Sequence, residues 1–216
     1  MKYFISLLCA ILMFPLSASA APGGYNYFEI LFADADGGLD MTPVNIPDDE
    51  GDGYRIAGGW VYGPNVQSDI RFEDLSFDRP ANSANRLRLE TTSLSLGGHH
   101  EFDMGEGRQF LPWGSVYYAG TIEGIQTLDD TDWGYGTRVG LRLGLLHQLE
   151  FNVEAGYVDV KEISGTVIRT GLVYSPVDFF HLVLDYTQRD YDVDISGSPD
   201  GDLEVDVLSA GARFQW

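Results

Sequence analysis

Residues 133–144 read Trp133-Gly134-Tyr135-Gly136-Thr137-Arg138-Val139-Gly140-Leu141-Arg142-Leu143-Gly144, and residues 149–157 read Leu149-Glu150-Phe151-Asn152-Val153-Glu154-Ala155-Gly156-Tyr157. Successive side chains of a β-strand point to opposite faces. On the first strand Trp133, Tyr135, Val139, Leu141 and Leu143 then share one face, and the glycines share the other with Arg138 and Arg142. On the second, Leu149, Phe151, Val153, Ala155 and Tyr157 oppose Glu150, Asn152 and Glu154. A three-residue turn at 145–147 sets Arg142 against Glu150, Arg138 against Glu154 and Leu141 against Phe151. The next hairpin behaves alike, setting Arg169 against Asp185 and Leu172 against Leu182. Small and paired charged residues on one face, with apolar residues on the other, describe a narrow polar lumen inside a lipid-facing wall. A charge turned to lipid at mid-depth costs roughly 2–4 kcal/mol. These six charges are therefore read as lumen ion pairs, with a reactive charge as the alternative.

Working outward, the same theme repeats at about 24–33, 53–62, 67–77, 86–102, 109–123, 133–145, 148–160, 166–175, 178–190 and 203–216. Short breaks alternate with longer, acidic ones at 34–52, 78–85, 124–132, 161–165 and 192–202. The expected fold is all-β, a transmembrane antiparallel up-and-down barrel of ten strands with both termini periplasmic. An eight-stranded barrel is the alternative. The apolar parity of 86–102 changes midway, with Leu87 and Leu89 on one face but Leu94, Leu96 and Phe102 on the other. A β-bulge near residues 91–93 would reconcile them. Aromatics gather at strand ends, as interfacial belts do. Trp60, Tyr62, Tyr174 and Phe214 lie toward the turns, and Tyr54, Tyr135, Tyr157 and Tyr186 toward the loops.

The first 20 residues differ from the rest. Lys2 precedes an apolar run from Phe4 to Leu16, and Ala18-Ser19-Ala20 matches the small-residue pattern of a signal-peptidase site. Cleavage is expected between Ala20 and Ala21, leaving a barrel over 21–216. The run is shorter than the roughly 20 residues that span a bilayer as a helix. The only cysteine, Cys9, sits inside it, so the mature chain would have neither disulfide nor thiolate chemistry.

The 216-residue chain carries a net charge of −20, and −21 once Lys2 is removed, with 12 basic against 33 acidic residues. Such a polyanion repels nucleic-acid phosphate, so no nucleic-acid partner is expected. The acids cluster in the expected outer loops. Asp34, Asp36, Asp48, Asp49, Glu50 and Asp52 lie in the first, with further groups at 129–132 and 190–206. No organic cofactor is indicated. Oxygen-rich clusters suit Ca²⁺ or Mg²⁺, although no EF-hand loop is completed, and solvated loops are the plainer reading.

The chain closes on Leu208-Ser209-Ala210-Gly211-Ala212-Arg213-Phe214-Gln215-Trp216. Ser209, Gly211, Phe214 and Trp216 resemble the terminal signal that the barrel-assembly machinery recognises. With the leader, they make the chain similar to the superfamily of small outer-membrane barrels that includes the OmpA-type domains, with no periplasmic domain expected to follow. The resemblance implies integral outer-membrane location and lipopolysaccharide as surroundings; function varies widely among members. Neither the Asp-x-His of omptin-like proteases nor the His-x-Ser of lipid A deacylases occurs. His99, His100, His147 and His181 all fall toward the periplasmic side, and adjacent His99 and His100 would point apart. The expected function is a non-enzymatic surface barrel whose extracellular partner is unknown. A narrow channel for small solutes is the alternative, and an enzyme of unrecognised site the third reading.

Overall fold

Along β1, β3, β4 and β7–β10, the face that carries apolar residues changes partway up. In the computed structural model the described residues are 26–41, 44–62, 65–77, 88–103, 113–127, 130–146, 148–194 and 201–216, with side chains of 39–49, 101–131 and 146 outside the description. They form β1 (Tyr27–Met41), β2 (Val44–Tyr62), β3 (Val66–Phe77), β4 (Arg88–Asp103), β5 (Trp113–Thr127), β6 (Asp130–Leu146), β7 (Leu149–Val160), β8 (Ile163–Val177), β9 (Phe180–Val193) and β10 (Gly201–Gln215). All neighbours are antiparallel and consecutive, and β1 pairs with β10, closing a barrel.

The register can be followed around the wall, perpendicular to the strands. Phe214 pairs with Phe28, Phe28 with Gly58, Gly58 with Ile70, and Ile70 with Leu94. The line continues through Ile122, Tyr135, Asp159, Ser164 and Asp192. It re-enters β10 at Asp202, twelve positions from where it left. That stagger tilts the strands by about 40°, the usual barrel inclination. The line also climbs from apolar to acidic outward residues.

The barrel thus has two halves of opposite polarity. In the turn-side half, Ile30, Phe32, Leu94, Leu96, Val139, Ile168, Leu172, Leu182, Leu184, Leu208 and Phe214 are exposed on the outside. Glu29, Arg55, Asp69, Glu73, Arg138, Glu154, Asp185 and Arg213 are buried inside. In the loop-side half the pattern reverses. Leu75, Phe77, Leu89, Val158, Val160, Tyr191, Val193, Leu203, Val205 and Val207 form an internal core with Ala33, Ala35 and Ile163. Outside them, Asp34, Asp36, Glu50, Asp52, Asp190, Asp192, Asp202, Glu204 and Asp206 are exposed. The cause is the solvent beyond the wall: where lipid lies outside, polar groups must turn inward. Where water lies outside, apolar side chains turn inward as in a soluble barrel.

This reversal corrects the expected bulge at 91–93. The β3–β4 register runs unbroken from Val66↔Gly98 to Ser76↔Arg88. Leu89 points into the core while Leu94 and Leu96 face out, without any insertion. It also corrects the breaks. The stretch 34–52, expected as a loop, is β-strand at all its described residues, and of the expected break at 124–132 residues 124–127 and 130–132 are β-strand. The expected strand lengths matched a bilayer; the strands continue because the outer core supports them beyond it.

The hairpin registers are displaced by two residues from expectation. Leu146 pairs with Leu149 across a two-residue turn, and Leu145 is an extra residue, so Arg142 meets Asn152 and Gly140 meets Glu154. Likewise Val177 pairs with Phe180, and Ser175 and Pro176 oppose His181, so Arg169 meets Thr187 and Leu172 meets Leu184. A two-residue displacement preserves every inward and outward assignment.

Candidate functional site

The charged side chains of β1–β3 and β6–β10 meet inside the turn-side half. Arg71 grips Glu154 with two bonds, at 2.7 and 3.1 Å, and its Nε lies 3.2 Å from Asp69. Arg138 bonds Asp69 and Ser95, and stands 3.8 Å from Glu154. Arg169 reaches Glu154 at 3.5 Å and donates from Nε to Thr187 Oγ1 at 3.2 Å. Asp185 bonds Arg55, which also lies 3.3 Å from Glu29; Glu29 in turn receives Arg213 at 2.7 Å. Arg189 bonds Glu73. Burial makes these bonds matter, because a charge left without its partner in such surroundings is strongly destabilising.

Of the sequence-predicted ion pairs, Arg138 and Glu154 do approach, as diagonal neighbours. Arg169 and Asp185 separate: Glu154 takes the first and Arg55 the second. The register places Arg142 opposite Asn152 and Glu150 opposite Gly144. Hairpin register pairs only adjacent strands, whereas long guanidinium arms cross the lumen. Arg55, Asp69, Arg71, Glu73, Arg189 and Glu29 were not singled out from sequence. Their inward parity was the available signal, and it was hidden where apolar residues change face.

Above this network the lumen is filled by the apolar core. Phe77, 1% exposed, lies over Gly37 and Gly51. A Cβ at Gly51 would stand 2.8 Å from the Phe77 ring, and one at Gly37 2.9 Å, so only glycine leaves room for the ring. Toward the turns, Ser175 Oγ and His181 Nδ1 lie 2.6 Å apart, and Arg213 stacks 4.9 Å from the Tyr27 ring centre. His99 points inward and His100 outward; His147 lies outside the described residues.

The acidic candidates stand on the outer wall rather than in loops. Asp34 pairs across with Asp52, and Asp36 with both Asp206 and Glu50. Opposed like charges destabilise a sheet modestly. Asp48 and Asp49 belong to β2, but their side chains are outside the described residues. Among the described residues no three carboxylate or histidine groups converge as a metal site. Tyr186 donates to Asp206 at 2.9 Å at the foot of this wall. Higher up, Arg88 binds Asp74 at 2.5 and 2.7 Å, and that bond raises the guanidinium above its ordinary value. On β10 Leu208, Ala210, Ala212 and Phe214 form the outward stripe, continued by Trp216 just past the strand end, with Ser209 buried inside. Ala20 and Ala21 lie outside the described residues.

Residues 6–175 match the family model of the outer membrane protein beta-barrel domain. No curated sequence relative matches the chain. Among solved structures the chain is similar to Neisserial surface protein A, at 12% identity over 88% of this chain and 97% of that one, with TM-score 0.42. It is also similar to Ail, the attachment invasion locus protein of Yersinia pestis, at 12% identity over 88% and 99%, with TM-score 0.35. An outer membrane channel from Pseudomonas putida F1 aligns at 10% identity over 92% and 98%, with TM-score 0.41.

Proposed function

The chain belongs to the family of outer-membrane protein β-barrel domains, and from that premise we propose a non-enzymatic, non-conducting surface barrel. It has ten transmembrane strands and periplasmic termini, and is exported behind a leader cleaved after Ala20. Ser209, Gly211, Phe214 and Trp216 serve as its address for the barrel-assembly machinery. The outward stripe from Trp216 to Leu208 covers eight residue steps, roughly 20 Å at the strand tilt, close to the apolar height of such barrels. Its outer half stands clear of the lipid core and presents the acidic wall to lipopolysaccharide, ions or another surface.

The observation that carries this reading over a solute channel is the apolar core across the outer half, from Leu75 and Phe77 on β3 to Val158 and Val160 on β7. Ions do not cross dry hydrocarbon packing. Planar bilayers containing the protein should show no discrete conductance steps, whereas steady openings in the wild type would refute it.

The acidic wall carries the second part of the proposal. Divalent Ca²⁺ or Mg²⁺, shared with lipopolysaccharide phosphates, offsets repulsion between pairs such as Asp36 and Asp206. Millimolar Mg²⁺ should slow protease cleavage of the outer half in lipopolysaccharide-containing vesicles. Equal cleavage with Mg²⁺ and with chelator removes this part.

A further inference from the structure

Closing the ring joins β1 to β10, and alternation alone leaves that seam under-specified. A slip of one residue turns every side chain to the wrong face, but a slip of two preserves all faces. In the lipid-facing stripe such a slip merely exchanges apolar neighbours. Phe32 lies opposite Ala210, with Leu208 and Ala212 two positions to either side.

Two inward contacts do tell the registers apart. Glu29 lies directly opposite Arg213. The guanidinium reaches Glu29 Oε2 from Nε at 2.8 Å and from Nη2 at 2.7 Å, and both residues are buried. Two residues along, the fully buried Leu31 lies opposite Gly211. A Cβ at Gly211 would stand 2.9 Å from Leu31 Cδ2 and closer still to the β1 backbone at Ile30. The two strands come together there only because that position carries no side chain. A slip of two sets Leu31 against Arg213 or Ser209, which both have a Cβ. The same slip sets Glu29 against Gly211 or Gln215. It moves the carboxylate roughly 7 Å along the strand from its partner, and a buried charge without its partner is strongly destabilising.

Two bridges farther round the lumen read the same alignment. Asp185 and Arg189 of β9 bond Arg55 of β2 and Glu73 of β3. Because β9 is paired with β10 along its whole length, sliding β10 carries both residues away from those partners.

We propose that Glu29–Arg213 and Leu31–Gly211 form the register key of the barrel, admitting β10 to β1 in one alignment only. Setting registry is the best-attested use of a buried polar contact. Arg213 and Gly211 are positioning residues for closure, a role separate from that of the outward Phe214 and Trp216.

The test reads the seam by disulfide capture in the full chain carrying Cys9→Ser. Phe32→Cys is combined in turn with Leu208→Cys, Ala210→Cys and Ala212→Cys. Directly opposed residues lie within disulfide reach, whereas diagonal neighbours, at roughly 7–8 Å, lie beyond it. In the otherwise native barrel only the 32–210 pair should link. With Glu29→Gln and Arg213→Gln that exclusivity should be lost, and 32–208 or 32–212 should link as well. With Arg213→Gly and Gln215→Arg the key moves two residues, opposing Glu29 to an arginine and Leu31 to a glycine in the slipped register. The 32–212 link should then appear. Linking at 32–210 alone in either background overturns the proposal, as does a 32–208 or 32–212 link in the native one. If one background fails to fold, the other decides. A covalent link reports register and not conductance, so its outcome is separable from that of the non-conducting barrel.

Discussion

Phe77 and Glu154 occupy opposite halves of the lumen and fail in different ways. Phe77 fills the space over two glycines, so Phe77→Ala leaves an apolar void and should cost about 3–5 kcal/mol. Urea unfolding from lipid vesicles would register that loss; a change below 1 kcal/mol would mean the outer core is not packed as described. Glu154 holds Arg71, Arg138 and Arg169 together. Its replacement by Gln strands three buried guanidiniums beside Asp69 alone, and about 3–5 kcal/mol should be lost. The Arg88–Asp74 pair is the control. Arg88 is 55% exposed, and Arg88→Ala should cost under about 1 kcal/mol despite good geometry. If the two changes cost the same, burial is not what gives the lumen network its weight.

At the level of elements, β10 carries the membrane boundary between two outward neighbours, Leu208 and Asp206. Ala212→Arg, in the middle of the lipid-facing stripe, should cost about 2–4 kcal/mol by the lipid-facing scale for barrels, and Asp206→Arg, beyond the boundary, close to nothing. Comparable losses in vesicle unfolding would put the boundary elsewhere. The same strand explains what sequence could reveal. Residues 208–216 alternate in one phase and read at once as a lipid-facing strand. Residues 201–207 alternate in the opposite phase, with Leu203, Val205 and Val207 inward, a reversal inside what reads from sequence as the single segment 203–216. In β4 the same change, from Leu89 to Leu94, has the sequence signature of a bulge although the register is unbroken. Inward charge could be recognised from period-two alternation, but register could not. Single extra residues at Leu145 and at Ser175–Pro176 shift the pairing without altering any face.

For the whole molecule, the antiparallel ring and the polar lumen were legible because they follow from alternation and turn spacing, and the family from the resemblance carried by Ser209, Gly211, Phe214 and Trp216. The working arrangement was not. Arg55 reaches Asp185 across 130 positions of sequence, and Arg189 reaches Glu73 across 116. No local pattern encodes which arm crosses a closed lumen to which acid. The apolar seal was equally hidden, since its residues come from β1, β3, β4 and β7–β10, one to three from each strand. Assembled, these parts divide the molecule into a lipid-embedded charged half and a water-facing hydrophobic half. The acidic wall is therefore held at a fixed height above the lipid core by packing, not by loop conformation.

That division also fixes how the barrel responds to bilayer thickness. Asp34, Asp52, Asp74 and Asp206 follow directly on Phe32, Tyr54, Phe72 and Leu208, so the upper edge cannot sink without dragging carboxylates into hydrocarbon. Hydrophobic mismatch must then be absorbed at the turn-side rim or by thinning of the surrounding lipid. A thin outer membrane suits such a molecule, and a thicker one would strain the lipid before it moved the protein.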